Sequence, residues 1–191
     1  MEKVLKDHLR DGEKVLWEGK TEVFPLLDNV TKFKTLTMWI ATVAVVAGVL
    51  VMYITRNDAH SMGFIGLMVL IAAVIVVSPL LERRSLLGQK YWLTDQRAIM
   101  LSRDKSFYYM EHSQIDVWSL NSDQAAYDCI ALGSCIQEDV KKQLRWRACH
   151  PKLDLQGQNA QDNVDGLIFY CVGNAEGAVS ILKNRAAGKA A

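Results

Sequence analysis

Two uninterrupted apolar runs, Thr35 to Thr55 and Ser61 to Leu81, decide the solvent for which this chain is built. Neither contains a charged residue, and only Arg56 to His60 separate them. A helix needs about 20 apolar residues to cross ~30 Å of hydrocarbon at ~1.5 Å per residue, and both runs meet that length. A lone Asp, Lys or Arg near the centre of such a span costs roughly 2.5–3.5 kcal/mol on insertion scales, so the absence of charge is informative. The pattern predicts a membrane α-helical hairpin with spans 35–55 and 61–81, flanked by segments 1–34 and 82–191.

The spans carry their own packing signals. Trp39 and Tyr53 sit near the two ends of the first, where amphipathic aromatics anchor at membrane interfaces. Ala41, Ala44, Ala47 and Gly48, with Gly63 and Gly66 in the second, allow close helix–helix approach. A tight antiparallel hairpin is expected, and self-association into a homo-oligomer stays open. Pro79 lies in the last turn of the second span, where it kinks or ends a helix. Lys20, Lys32 and Lys34 precede the first span, Arg83, Arg84 and Lys90 follow the second, and the connection has one Arg. That asymmetry predicts both termini in the cytoplasm. A cleavable signal peptide is not expected, because the first run starts late and is too long for a signal core.

Segment 82–191 is long enough for one small core. It holds 14 Lys and Arg against 13 Asp and Glu, a balance that argues against a nucleic-acid partner. Its four cysteines, Cys129, Cys135, Cys149 and Cys171, read as reduced, buried thiols in a cytoplasmic domain.

Beyond Leu81 the hydrophobic pattern changes to period two. Strands are expected at 91–94, 97–101, 106–110, 115–120, 127–132, 143–149 and 167–172, with turn residues between them. Lys14 to Gly19 reads as a further short strand after a small amphipathic helix around Val4 and Leu9. Asn174 and Glu176 open an amphipathic helix with Ala175, Val179 and Leu182 on one face and Lys183 and Arg185 near its end. Residues 186–191 are expected to fray, and 151–165 to form a polar loop. Closely spaced strands followed by a helix predict a small antiparallel barrel or sandwich closed by that helix.

Three blocks carry a resemblance. Asp11-Gly12-Glu13-Lys14-Val15-Leu16-Trp17-Glu18-Gly19 resembles the opening of bacterial membrane proteins with a PH-like domain. Tyr91-Trp92-Leu93-Thr94-Asp95-Gln96-Arg97 resembles their first hairpin. Gly166 to Tyr170, followed by Asn174-Ala175-Glu176, resembles their last strand and helix start. The order of the blocks around a two-helix hairpin fits as well. The resemblance implies a seven-stranded antiparallel PH-like barrel closed by a C-terminal helix, in the α+β class, anchored in the bacterial inner membrane. It implies little chemistry. Inositol-phosphate binding is not carried over, because the Asp95-Gln96 turn is too short for a basic loop.

Candidate chemistry is thin. Cys129 and Cys135 are spaced wider than zinc pairs require, so neither metal nor cofactor is expected. There is no G-x-S-x-G, P-loop or H-E-x-x-H motif, and the chain is not expected to be an enzyme. His112 falls at a strand end and could sit near a carboxylate, a coincidence that any chain of this length offers. The candidate contacts for a lipid or partner are Arg83, Arg84, Lys141, Arg145 and Arg147. Juxtamembrane cations gain roughly 1 kcal/mol each near an anionic leaflet. The expected function is a membrane-anchored scaffold or adaptor for an unidentified membrane or cytoplasmic protein. Binding of anionic headgroups is the alternative, ahead of a small membrane enzyme.

Overall fold

The computed structural model describes residues 3–27, 32–56, 61–123, 125–142, 154–157 and 162–189. In chain order the elements are α1 (Lys3–His8), β1 (Val15–Lys20), α2 (Lys32–Arg56), α3 (Met62–Leu86), β2 (Lys90–Thr94), β3 (Arg97–Leu101), β4 (Phe107–Glu111), β5 (Trp118–Asn121), β6 (Asp128–Gly133), α4 (Gln137–Lys141), β7 (Leu155–Gln156), β8 (Gly166–Val172) and α5 (Ala175–Lys189).

The helices α2 and α3 are both long and apolar enough to cross a membrane. Their side chains point outward rather than into a protein core, with Ile40, Val43, Val45, Val69 and Leu70 all exposed. Such a continuous apolar surface calls for an apolar solvent. At the turn between them, the Ser61 N–H donates to the Tyr53 hydroxyl at 2.9 Å, and the Tyr53 and Phe64 rings lie 4.5 Å apart. Tyr53 therefore fastens the hairpin as well as sitting at its end. Each helix runs past its apolar core by several polar residues, and α3 continues through Pro79 to Leu86.

The remaining elements form two antiparallel sheets of four strands, ordered β1-β2-β3-β4 and β5-β6-β8-β7. The expected closed seven-stranded barrel is not what the chain forms. Isolated bridges, Thr21 to Val172 and Tyr109 to Asn163, are the ladder contacts between the sheets among the described residues. The physical reason lies in the strand lengths. β5 spans Trp118–Asn121 and β7 is two residues long, so neither extends far enough to wrap onto the other sheet. Two of the eight strands lie outside the expected seven: β7, and β1, which comes from before the hairpin and pairs with β2 from beyond it. The strand expected at 143–149 lies outside the described residues. Helix α4 was not anticipated; Glu138 and Asp139 in its first turn suit a helix N-terminus. The polar excursion 151–165 contributes β7, and α5 remains helical through Lys189.

Three apolar layers explain why β3 and β8 are buried at every position. Between the sheets lie Tyr91, Leu93, Met100, Met110, Ile130, Leu132, Leu167 and Phe169, and Ala175, Ala178 and Leu182 of α5 close one end. Leu5 of α1 covers Trp92, Ile99 and Phe107 on the outer side of the first sheet. Phe24 and Leu86, from the two flanks of the hairpin, join Val140 of α4 on Ala131, Ile168 and Tyr170 of the second sheet. The last turn of α3 is thus part of the core, with Leu86 fully buried. The sandwich is bolted to the end of the apolar helix rather than hung from it on a linker.

Candidate interaction surfaces

The sequence blocks that carried the resemblance come together, and they build the core. Glu13 and Arg97 form a bidentate ion pair, with Arg97 Nε and Nη2 each 2.9 Å from a carboxylate oxygen. Thr94 donates to Glu13 Oε1 at 2.7 Å and accepts from the Gln96 and Arg97 N–H groups, which closes the β2–β3 turn. The guanidinium also donates to the His8 carbonyl and lies over the Tyr109 ring. Trp17 stacks on Phe169 and donates its indole N–H to the Asn174 carbonyl. Gly19 and Gly177 leave room for that ring, since a Cβ at either would press on it. The Tyr91 hydroxyl donates to Gln89 and accepts from Thr21 and from the Tyr170 N–H. Burial raises the Tyr91 pKa and keeps the phenol neutral. These residues join strands from before and after the hairpin, and their polar groups are spent on one another.

Three of the five expected contact residues are described. Arg83 is committed locally: its Nε donates to the Phe24 carbonyl at 2.7 Å and its guanidinium lies over the Phe24 ring. Arg84 is exposed on the last turn of α3. Lys141 ends α4, a helix whose Val140 packs on the same sheet face as Leu86. Arg145 and Arg147 lie outside the described residues. The structure adds three cations at the exit of α3. Lys20 and Lys90 are direct cross-strand partners, and the stem of Arg103 covers Gly88. Lys20, Arg84 and Arg103 are exposed and Lys90 is half-buried. Arg103 is far from the span in sequence, and only the strand register brings it there.

A second surface was missed by sequence reasoning. β5 is an edge strand of its sheet. The Gly133 N–H donates to the Val117 carbonyl, and Ser119 and Asn121 follow in the same phase of the ladder opposite Ala131 and Cys129. Alternation then points the N–H and C=O groups of Trp118 and Leu120 away from β6. No described residue pairs with them. Val117 is 67% exposed and Leu120 41%, one on each face of this edge.

The cysteines are placed as small core residues. Cys129, Cys135 and Cys171 are free and buried, and Cys149 lies outside the described residues. Burial pushes the Cys135 thiol up to about 12, with Asp139 and Asp154 adding to it. Burial, and then the neighbouring Cys171 thiol, raise the Cys129 pKa. Thiols in this state are poor nucleophiles at neutral pH. His112 Nε2 bonds the Thr94 carbonyl oxygen at 2.9 Å, and burial lowers the His112 pKa. It supports the β2–β3 turn. Comparison of the chain with protein-family models, with curated proteins and with solved structures found no match.

Proposed function

We propose that this protein is a membrane-anchored scaffold or adaptor, which holds a β-sandwich at the cytoplasmic face of a bacterial inner membrane for protein–protein interaction. The observation that carries this reading is the outer edge of β5, where backbone groups without partners among the described residues lie between exposed apolar side chains. Such an edge is a template for a strand from another chain. The pairing of β1 with β2 supports placing both flanks of the hairpin on one side of the membrane. Leu86 and Phe24, shared between anchor and domain core, support a fixed distance from the bilayer. Kinship with bacterial two-span PH-like proteins belongs to the same proposal. Its support is that the resembling blocks meet in one structural unit.

A second reading is favoured by the exposed cations Lys20, Arg84 and Arg103 near the exit of α3. This collar suits the phosphates of anionic lipids, with each cation near the surface contributing roughly 1 kcal/mol. One experiment addresses both readings. A photo-crosslinking amino acid is placed at Val117 or at Lys20 in the full chain, in its native membrane. Discrete protein adducts from position 117 and phospholipid adducts from position 20 are expected. The adaptor reading fails if position 117 gives no more protein adduct than Leu16, an exposed control on β1.

A further inference from the structure

One face of α3 is a groove that runs from apolar residues into cations. Ala73, Val74, Val77, Ser78, Leu81 and Ser85 line an open groove of about 580 Å³. That volume falls within the roughly 300–1,000 Å³ of ordinary ligand sites. Spacings of three and four put these residues on one stripe of the helix. From Ala73 to Ser85 the stripe is about 18 Å long at ~1.5 Å per residue, against about 15 Å for the hydrocarbon of one leaflet. Glu82 also lines the groove, but its two carboxylate oxygens are buried.

The end of the groove next to the sandwich is cationic. Arg84 is exposed and stands one helical turn beyond Leu81. The Gly88 N–H donates to the Ser85 carbonyl at 3.2 Å, so the turn carries on past Arg84 to Gly88. There the stem of Arg103 lies against the backbone, and Arg103 is exposed. The neighbouring Asp104 accepts the Ser106 N–H within its own turn. Lys20, also exposed, lies opposite Lys90, two residues beyond Gly88.

We propose that the groove and its cationic end form a site for one anionic phospholipid, an inference that deepens the headgroup reading above and rests on it. An acyl chain lies along Val74, Val77 and Leu81, the Ser85 hydroxyl meets the glycerol region, and the phosphate faces Arg84 and Arg103, with Lys20 beyond them. A transmembrane helix from another chain suits the apolar part but leaves the cations unanswered. An anionic lipid satisfies both ends at once.

Native mass spectrometry of the full chain in detergent tests the site, with dioleoylphosphatidylglycerol or dioleoylphosphatidylcholine added. One phosphatidylglycerol per chain is expected, bound at least roughly tenfold more tightly than phosphatidylcholine, since each cation near a phosphate is worth about a fivefold change. Replacing Arg84→Gln and Arg103→Gln together keeps most of the stem on Gly88 and is expected to remove that preference. Val77→Trp fills the groove and is expected to weaken binding of both lipids at least roughly tenfold, while Val43→Trp, on α2, changes nothing. Thermal unfolding equal to that of the natural chain establishes that each variant keeps the fold. Undiminished phosphatidylglycerol binding in Val77→Trp, with the preference still lost in the double variant, overturns the groove and leaves the headgroup reading standing. Equal affinity for the two lipids overturns the headgroup reading and the anionic site with it. A dimer that dissociates in Val77→Trp with lipid binding unchanged gives the groove to a second copy and overturns the proposal, as does retention of neither lipid.

Discussion

Replacement of Glu13 by alanine is expected to destabilise the domain by about 3–5 kcal/mol, the cost of leaving a buried charge without its partner. The Glu13 side chain is 0% exposed and that of Arg97 5%. Removal of the carboxylate strands the guanidinium between Tyr109, Phe107 and the His8 carbonyl. It also frees the Arg10 N–H and leaves the Thr94 hydroxyl with the Arg97 carbonyl as its acceptor. Domains are stable by only about 5–15 kcal/mol, so the loss is a large share of the total. Thermal unfolding of the purified chain in detergent measures it. The double replacement Glu13→Leu with Arg97→Met is expected to recover much of the loss, because an apolar pair of similar volume carries no desolvation cost. A single variant that melts within a degree or two of the natural chain contradicts this account of the core.

The same pair sets an acid limit. Burial pushes the Glu13 carboxyl up, but hydrogen bonds from Arg97, the Arg10 N–H and Thr94 outweigh it and hold the folded value below the ordinary range. A folded pKa below the unfolded one stabilises the fold above the unfolded value. The contribution is complete above about pH 4.5 and is lost as pH falls through the lowered value. The Glu13→Ala chain is expected to lack this part of the acid sensitivity.

The second large effect is expected at Trp17, where substitution by alanine costs about 3–5 kcal/mol. The ring fills the space between Gly19, Gly177 and Phe169, and its N–H holds the Asn174 carbonyl at the start of α5. One side chain thus ties the strand before the hairpin to the helix that ends the chain. Amide exchange of Trp17→Ala is expected to rise together over β1 and the first turns of α5, with α2 and α3 unchanged. A rise confined to one of the two contradicts the tie.

The apolar helical hairpin was legible because its signal is local: long apolar runs free of charge need no tertiary information. The strands β2, β3, β4 and β8 and the helix α5 were legible from periodicity for a similar reason. Closure was not legible, because whether β5 and β7 extend far enough to seal a barrel depends on ladder partners distant in sequence. The Glu13–Arg97 pair shows the same limit from another side. Both residues stood inside recognised blocks, yet 84 positions separate them, and only the β1–β2 register brings them into contact. The place of Arg103 was hidden for the same reason, since it reaches Gly88 through the β2–β3 hairpin.

The central claim is that segments on both sides of a two-span hairpin build one domain on one face of the membrane. Impermeant maleimide labelling of closed vesicles tests it most directly, with a cysteine introduced singly at Leu16, Asn57 or Val117. The three cysteines described are buried, which keeps their contribution to the background low. The account predicts that Leu16→Cys and Val117→Cys are labelled from the same side and Asn57→Cys only from the other. Labelling of positions 16 and 117 from opposite sides, or of all three from one side, contradicts it.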